Sequence, residues 1–185
     1  MIAVFLADGF EEIEALATVD FLRRCELEVQ TIGVGAKFIR GAHDIRVFTD
    51  WIQEDYLSEV SWEPYECIVL PGGMPGTANL EDDHLVQSAI EYAYQNNRLI
   101  AAICAAPSIL AHFRLLEGKY ATCFPGYEDD LRDSGAFVIT DRPVVEDGNF
   151  ITSRGVGTVF DFAEAIAARF VGAEKARQVR VSMLA

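Results

Sequence analysis

The stretch Leu99-Ile100-Ala101-Ala102-Ile103-Cys104-Ala105-Ala106-Pro107-Ser108-Ile109-Leu110 most limits what this chain can fold into. Its five leading apolar residues fit a strand buried on both faces, the habit of a parallel sheet. Pro107 suits the first turn of a helix, where its missing N–H is no loss. Cys104 therefore falls at a strand-to-helix turn, facing the unpaired N–H groups of the helix start. That is the backbone plan of a nucleophile elbow, with cysteine in place of serine. A helix N-terminus lowers a thiol pKa and favours the reactive thiolate. The same local pattern serves an inert packing cysteine equally well.

The rest of the chain alternates strands and helices. A strand over 2–7 is turned by Asp8-Gly9. A helix follows with apolar Ile13, Leu16, Val19, Phe21 and Leu22. Its first turn carries Glu11, Glu12 and Glu14, and its end carries Arg23-Arg24, the distribution a helix dipole favours. A second strand spans 27–32. Residues 37–51 read as a hairpin and 53–65 as an acidic, aromatic connection. A buried strand over 67–70 stops at Pro71-Gly72-Gly73. A helix spans 80–94. The helix after Cys104 runs to about 116, and a strand spans 119–124. Residues 125–133 read as loop or short helix. Short strands follow at 137–139, 144–145 and 150–152, the last two joined by a hairpin turn over 146–149. Ser153-Arg154-Gly155-Val156-Gly157-Thr158 opens a helix to about 170, and a last helix covers 173–179. The pattern is α/β, a mainly parallel sheet with helices on both faces, built as one domain over 1–185. Ligands in such sheets sit at the carboxyl ends of strands. Three loops there stand out: residues 9–14, the loop after Leu70, and the turn at Cys104.

Charge removes several functions. A net charge of −14 and a pI near 4.5 oppose a nucleic-acid partner or an anionic membrane surface. No apolar run approaches the ~20 residues of a membrane span. The N-terminus lacks the basic start of a signal peptide. The four cysteines form no Cys-x-x-Cys, and the three histidines have no ligand spacing. Disulfides and a zinc site are not expected, and a reducing cytoplasm is. Gly33-x-Gly35 and Gly155-x-Gly157 do not complete a nucleotide loop, because Phe38 and Phe160 hold the third positions.

Each candidate residue carries two readings. Glu14 shares a helix face with Phe10 and Phe21, so a buried carboxyl there would keep its proton and donate it to the Cys104 sulfur. It would otherwise complement the helix dipole, which is the reading preferred for Glu11 and for Glu12 on the opposite face. Gly72-Gly73 would offer backbone N–H groups to a developing oxyanion, or simply make a turn. His112 lies roughly 12 Å along the helix from Cys104 and cannot reach it. His84 opens a surface helix, and His43 lies in the hairpin. Cys123 alternates away from a site that Phe124 would face. Cys25 and Cys67 read as packing residues.

Taken together, four ordered motifs resemble the ThiJ/PfpI superfamily, in the clade of the Parkinsonism-associated deglycase and its bacterial ThiJ-like relatives. They are Asp8-Gly9-Phe10-Glu11-Glu12-Ile13-Glu14, Val69-Leu70-Pro71-Gly72-Gly73, Ala101-Ala102-Ile103-Cys104-Ala105-Ala106-Pro107 and Thr152-Ser153-Arg154-Gly155-Val156-Gly157-Thr158. The resemblance implies a flavodoxin-like three-layer sandwich and a homodimer. It implies Cys104 as the reactive cysteine, Glu14 as its hydrogen-bonding carboxyl, and an anion site from the backbone of Gly72, Gly73 and Ala105. It places Phe124, Arg24, His43 and Gly155 at a pocket or interface. Phe124-Pro125 stands where the animal relative has a histidine before a proline, His43 replaces a hairpin arginine, and Phe48 replaces a hairpin cysteine. No organic cofactor and no metal are implied. The activities implied are glutathione-independent conversion of a small aldehyde substrate, a 2-oxoaldehyde, to a 2-hydroxy acid, and deglycation. The alternative is a redox sensor or stress chaperone whose cysteine is oxidised without turnover. A cysteine peptidase would want a histidine after Cys104, where Ala105 stands.

Overall fold

Alternation along the strands divides the interior into two cores. In β1 (Ile2–Leu6), Ala3 and Phe5 pack on one face and Ile2, Val4 and Leu6 on the other. Successive strand side chains point to opposite faces, so a run apolar at every position must be covered on both. In β7 (Leu99–Ile103), Ile100 and Ala102 separate in the same way from Leu99, Ala101 and Ile103.

The computed structural model describes residues 1–52 and 61–185. After β1 come α1 (Glu12–Arg24), β2 (Val29–Gly33), β3 (Phe38–Arg40), β4 (Arg46–Phe48), β5 (Trp51–Ile52) and β6 (Cys67–Leu70). Next are α2 (Gly76–Asp82), α3 (His84–Gln95), β7, α4 (Pro107–His112), β8 (Tyr120–Ala121), α5 (Glu128–Asp133) and β9 (Phe137–Val138). The chain closes with β10 (Val144–Asp147), β11 (Phe150–Ser153), a 3-10 turn (Val156–Thr158), α6 (Val159–Val171) and α7 (Ala173–Ser182). The main sheet has the order β10-β11-β7-β6-β1-β2-β5. Its pairs are parallel except β10 with β11. Helices α1, α6 and α7 cover one face, and α2 to α5 cover the other. This is the expected three-layer α/β sandwich with a small hairpin, β3–β4.

The topology places the site. β1, β6 and β7 are adjacent and run in one direction. Their carboxyl ends, Leu6, Leu70 and Ile103, therefore open on the same sheet edge, and the loops that follow them meet there.

Several boundaries differ from the sequence reading. The helix expected over 80–94 is two helices, broken at Asp83. That residue is extended, and its carboxylate accepts the N–H groups of Leu85 and Val86 at 2.9 and 3.1 Å, capping α3. The helix after Cys104 stops at His112 rather than 116, and Arg114 takes a left-handed backbone (φ 56°). The strand expected over 119–124 shortens to β8, which pairs with β9 outside the main sheet. Its tail is diverted: the Phe124 N–H bonds to the Cys104 carbonyl at 2.8 Å. Trp51 leaves the hairpin and joins the main sheet beside β2. The expectation for 53–60 lies outside the described residues.

The α3 cap gives a stability prediction. Asp83→Ala should cost about 1 kcal/mol, read as a fall of about 2–4 °C in Tm. An unchanged melting curve would show that the carboxylate contributes nothing.

Candidate active site

Cys104 sits where β7 ends and the turn to α4 begins. Its backbone is left-handed (φ 66°), a conformation that costs a non-glycine residue energy unless its surroundings impose it. Here both backbone groups are tied. The Cys104 N–H donates to the Ser153 carbonyl at 3.0 Å, and its carbonyl accepts from Phe124 at 2.8 Å. The turn thus presents a half-buried thiol at the carboxyl edge of the sheet. The N–H groups of Ala105 and Gly73 hydrogen-bond to the sulfur.

Glu14 arrives from the other side. Glu11 is the N-cap of α1, and its Oε2 accepts the Glu14 N–H at 2.7 Å. That cap holds the first turn so that the Glu14 side chain, fully buried, enters the sheet edge. Glu14 Oε2 accepts the Gly72 N–H at 2.9 Å. The carboxyl is hydrogen-bonded to the Cys104 thiol, and no other donor of the described residues serves its buried Oε1. Gly72, expected as an oxyanion donor, therefore spends its N–H on orienting Glu14. Gly72 and Gly73 are obligatory for a steric reason. A Cβ on Gly72 would lie 2.6 Å from Cys104 Cβ and 2.7 Å from Glu14 Oε2. One on Gly73, itself at φ 93°, would lie 2.4 Å from the Glu11 nitrogen.

The electrostatics depart from the sequence expectation. Burial pushes the Glu14 carboxyl up to about 7, helped by the charge of Glu11 and opposed by hydrogen bonds from Cys104 and Gly72. Burial also pushes the Cys104 thiol up to about 12, joined by the Glu14 charge and its hydrogen bond, against the Ala105 and Gly73 N–H groups. The expected lowering by a helix end is overturned here. α4 is only six residues long, and desolvation outweighs its field. The two groups nevertheless titrate as a pair. With one proton between them, placing it on Glu14 removes the like charge and gives the sulfur a donor. The thiolate and the carboxylic acid are then one tautomer of a singly protonated pair.

The other candidates separate. Phe124, 46% exposed, forms an apolar wall: a Cβ on Gly155 would lie 3.2 Å from its ring. Gly155 also borders Glu14 Oε1, at 3.7 Å from that Cβ. Arg24 pairs with Asp20 at 2.7 Å, and it ends α1, ten residues or about 15 Å along the axis from Glu14. His43 pairs with Glu12 at 2.8 Å, His84 with Gln87 and His112 with Glu81, so Cys104 has no histidine partner among the described residues. Cys123 is buried in the opposite core, as expected, but by the course of the loop after β8 and not by strand alternation, since β8 ends at Ala121. Glu12, expected to complement the helix dipole on the face opposite Glu14, is buried (4% exposed) because the hairpin folds over it. Its Oε1 accepts the His43 and Ile45 N–H groups at 2.7 and 3.4 Å. Gly41 was the available signal: a Cβ there would lie 2.2 Å from Glu12 Oε1. The reading also missed Ser153, whose carbonyl fixes the Cys104 turn.

Comparison with known proteins identifies the family and the fold. A family model described as DJ-1/PfpI matches residues 1–169. The chain is 36% identical over 182 residues to protein dj-1beta of Drosophila melanogaster, covering 98% of this chain and 95% of that one. It is 31% identical to the glutathione-independent glyoxalase DJR-1.2 of Caenorhabditis elegans, covering 89% and 85%. The crystal structure of Drosophila melanogaster DJ-1beta superposes with a TM-score of 0.91 at 34% identity, covering 99% of this chain and 96% of that chain.

Proposed function

The chain belongs to the DJ-1/PfpI family, and from that premise we propose that it is a glutathione-independent glyoxalase-type enzyme acting on small 2-oxoaldehydes. One observation carries the reading: a sulfur, a carboxyl able to hold a proton near neutrality, and two backbone N–H groups converge, with no histidine beside them among the described residues. That set suits chemistry in which one acid/base moves a proton between neighbouring carbons. The glyoxalase named among the relatives supports it.

Cys104 thiolate attacks the aldehyde carbon, forming a C–S bond and a hemithioacetal whose oxygen takes the Glu14 proton. The Glu14 carboxylate then removes the hydrogen from that carbon, giving an enediol, and returns it to the adjacent carbon. The product is a 2-hydroxy thioester on Cys104. Water cleaves the C–S bond, releasing the 2-hydroxy acid and the thiol. The sequence is an internal redox isomerisation plus one water, so no external electron carrier enters the balance. The Gly73 and Ala105 N–H groups face the charge that develops on oxygen, and Phe124 and Gly155 shape an opening for a small carbonyl.

We also assign the chain a second copy of itself as partner and a cytoplasmic setting. Exposed Ile13, Ile45, Phe38 and Phe48 on α1 and the hairpin support the first. Free cysteines support the second. Neither nucleic acid nor membrane enters the proposal, and no described helix is long and apolar enough to cross a bilayer.

The test is methylglyoxal without glutathione, with lactate measured as product. Lactate formed in catalytic excess over protein supports the reading. Stoichiometric loss of aldehyde without lactate overturns it, and oxygen addition at Cys104 under mild peroxide would then favour the sensor.

A further inference from the structure

We propose that Phe124 sets the substrate class of the site, selecting uncharged 2-oxoaldehydes whose ketone carbon carries a bulky apolar group. The inference rests on the glyoxalase reading and adds to it the identity of that group. The reaction fixes where the group must go. The aldehyde carbon joins the Cys104 sulfur, and the ketone carbon must come to Glu14, which returns the proton to it. The substituent on the ketone carbon therefore leaves the site on the Glu14 side.

An aromatic ring walls that side. A Cβ built on Gly155 would lie 3.2 and 3.7 Å from Phe124 Cδ2 and Cε2, and 3.7 Å from Glu14 Oε1. Ring and carboxyl thus border one small space, which Gly155 leaves open by lacking a side chain. The ring is fixed relative to the reacting sulfur, because the Phe124 N–H donates to the Cys104 carbonyl at 2.8 Å. About half of Phe124 is exposed, so apolar surface is left for a ligand to cover. The neighbouring loops add to it. Met74 follows Gly73, whose N–H bonds to the sulfur, and Val156 follows Gly155, and both side chains are exposed. Apolar walls around a few fixed polar groups are the usual make-up of a small-molecule site.

Charge points the same way. The largest charge effects on the pair come from carboxylates, Glu11 on Glu14 and Glu14 on Cys104. Arg154, the cation beside Gly155 in the chain, acts instead on Cys123 and Glu128. A substrate carboxylate or phosphate would meet like charge here, on a chain whose net charge is already −14. An alkyl group meets a ring that it can take out of water.

The test compares methylglyoxal, isobutylglyoxal and dioxopentanoate, a 2-oxoaldehyde whose chain ends in a carboxylate. Each is assayed without glutathione, with the 2-hydroxy acid measured as product. For the wild-type chain, kcat/KM should be at least about tenfold higher for isobutylglyoxal than for methylglyoxal. The gain should lie mostly in KM, as for binding shared by ground and transition states. Dioxopentanoate should fall below methylglyoxal. Phe124→Ala should abolish the isobutyl preference, Phe124→Leu should retain most of it, and Phe124→Lys should raise dioxopentanoate above methylglyoxal. Melting curves verify that each variant is folded. Equal kcat/KM for the two uncharged aldehydes, or an undiminished preference in Phe124→Ala, would overturn the assignment and leave the glyoxalase reading standing. No 2-hydroxy acid from any of the three aldehydes would overturn both.

Discussion

Lactate formation from methylglyoxal should vanish in Cys104→Ser and fall by about 10²–10⁴-fold in kcat in Glu14→Gln, the range for a removed general acid/base. Serine cannot supply a comparable nucleophile in this site, because no histidine among the described residues stands ready to take its proton. Glutamine is the informative change at Glu14. Its carbonyl can still accept the Gly72 N–H that the carboxylate accepts at 2.9 Å. Its amide still faces the sulfur, but it has no proton to give and take. Substrate capture at Cys104, with water carrying the proton in place of Glu14, should persist more slowly while turnover fails. Mass spectrometry of the variant should show a hemithioacetal-mass adduct. Full turnover in Glu14→Gln would remove the carboxyl from the chemistry.

The same pair predicts a pH profile. Below about 7 both groups are protonated and the thiol is neutral. One proton leaves as pH rises through about 7, and the remaining one is shared until about 12. Activity should rise with pH through about 7 and hold a plateau above it. The rise near 7 should disappear in Glu14→Gln.

Gly72→Ala should cost at least about 100-fold in kcat/KM, the scale of a 1 Å misplacement of reacting groups. It should also lower stability by about 1–3 kcal/mol, as for overpacking. The added methyl would stand 2.6 Å from Cys104 Cβ, 2.7 Å from Glu14 Oε2 and 3.0 Å from the Ile103 carbonyl. None of the three yields easily. The first and last belong to a turn tied at both backbone groups, and the carboxyl is enclosed by α1. The methyl must separate sulfur from carboxyl. Gly157→Ala is the control, since its Cβ would meet nothing within 4 Å. Equal activity in both variants would show that the pair tolerates separation.

What the sequence by itself determined was local. Runs apolar at every position, as in Leu99–Ile103, require cover on both faces, and that requirement sets a parallel sheet between helices. Cys104 before Ala105-Ala106-Pro107 places a thiol at a strand-to-helix turn. Asp83 ahead of His84-Leu85-Val86 is a cap legible in the sequence, although apolar spacing continues across it. The tertiary structure alone decided which groups meet and how they titrate. Glu12 became an anchor for the hairpin because that hairpin folds over α1, a contact between residues about thirty positions apart. Gly72 turned from substrate donor to positioning group because β6 ends beside the Glu14 side chain. The thiol moved up because desolvation and a neighbouring carboxyl depend on surroundings that no local window contains. Secondary structure follows from short-range geometry, whereas dielectric, charge proximity and hydrogen-bond ownership belong to the packed whole.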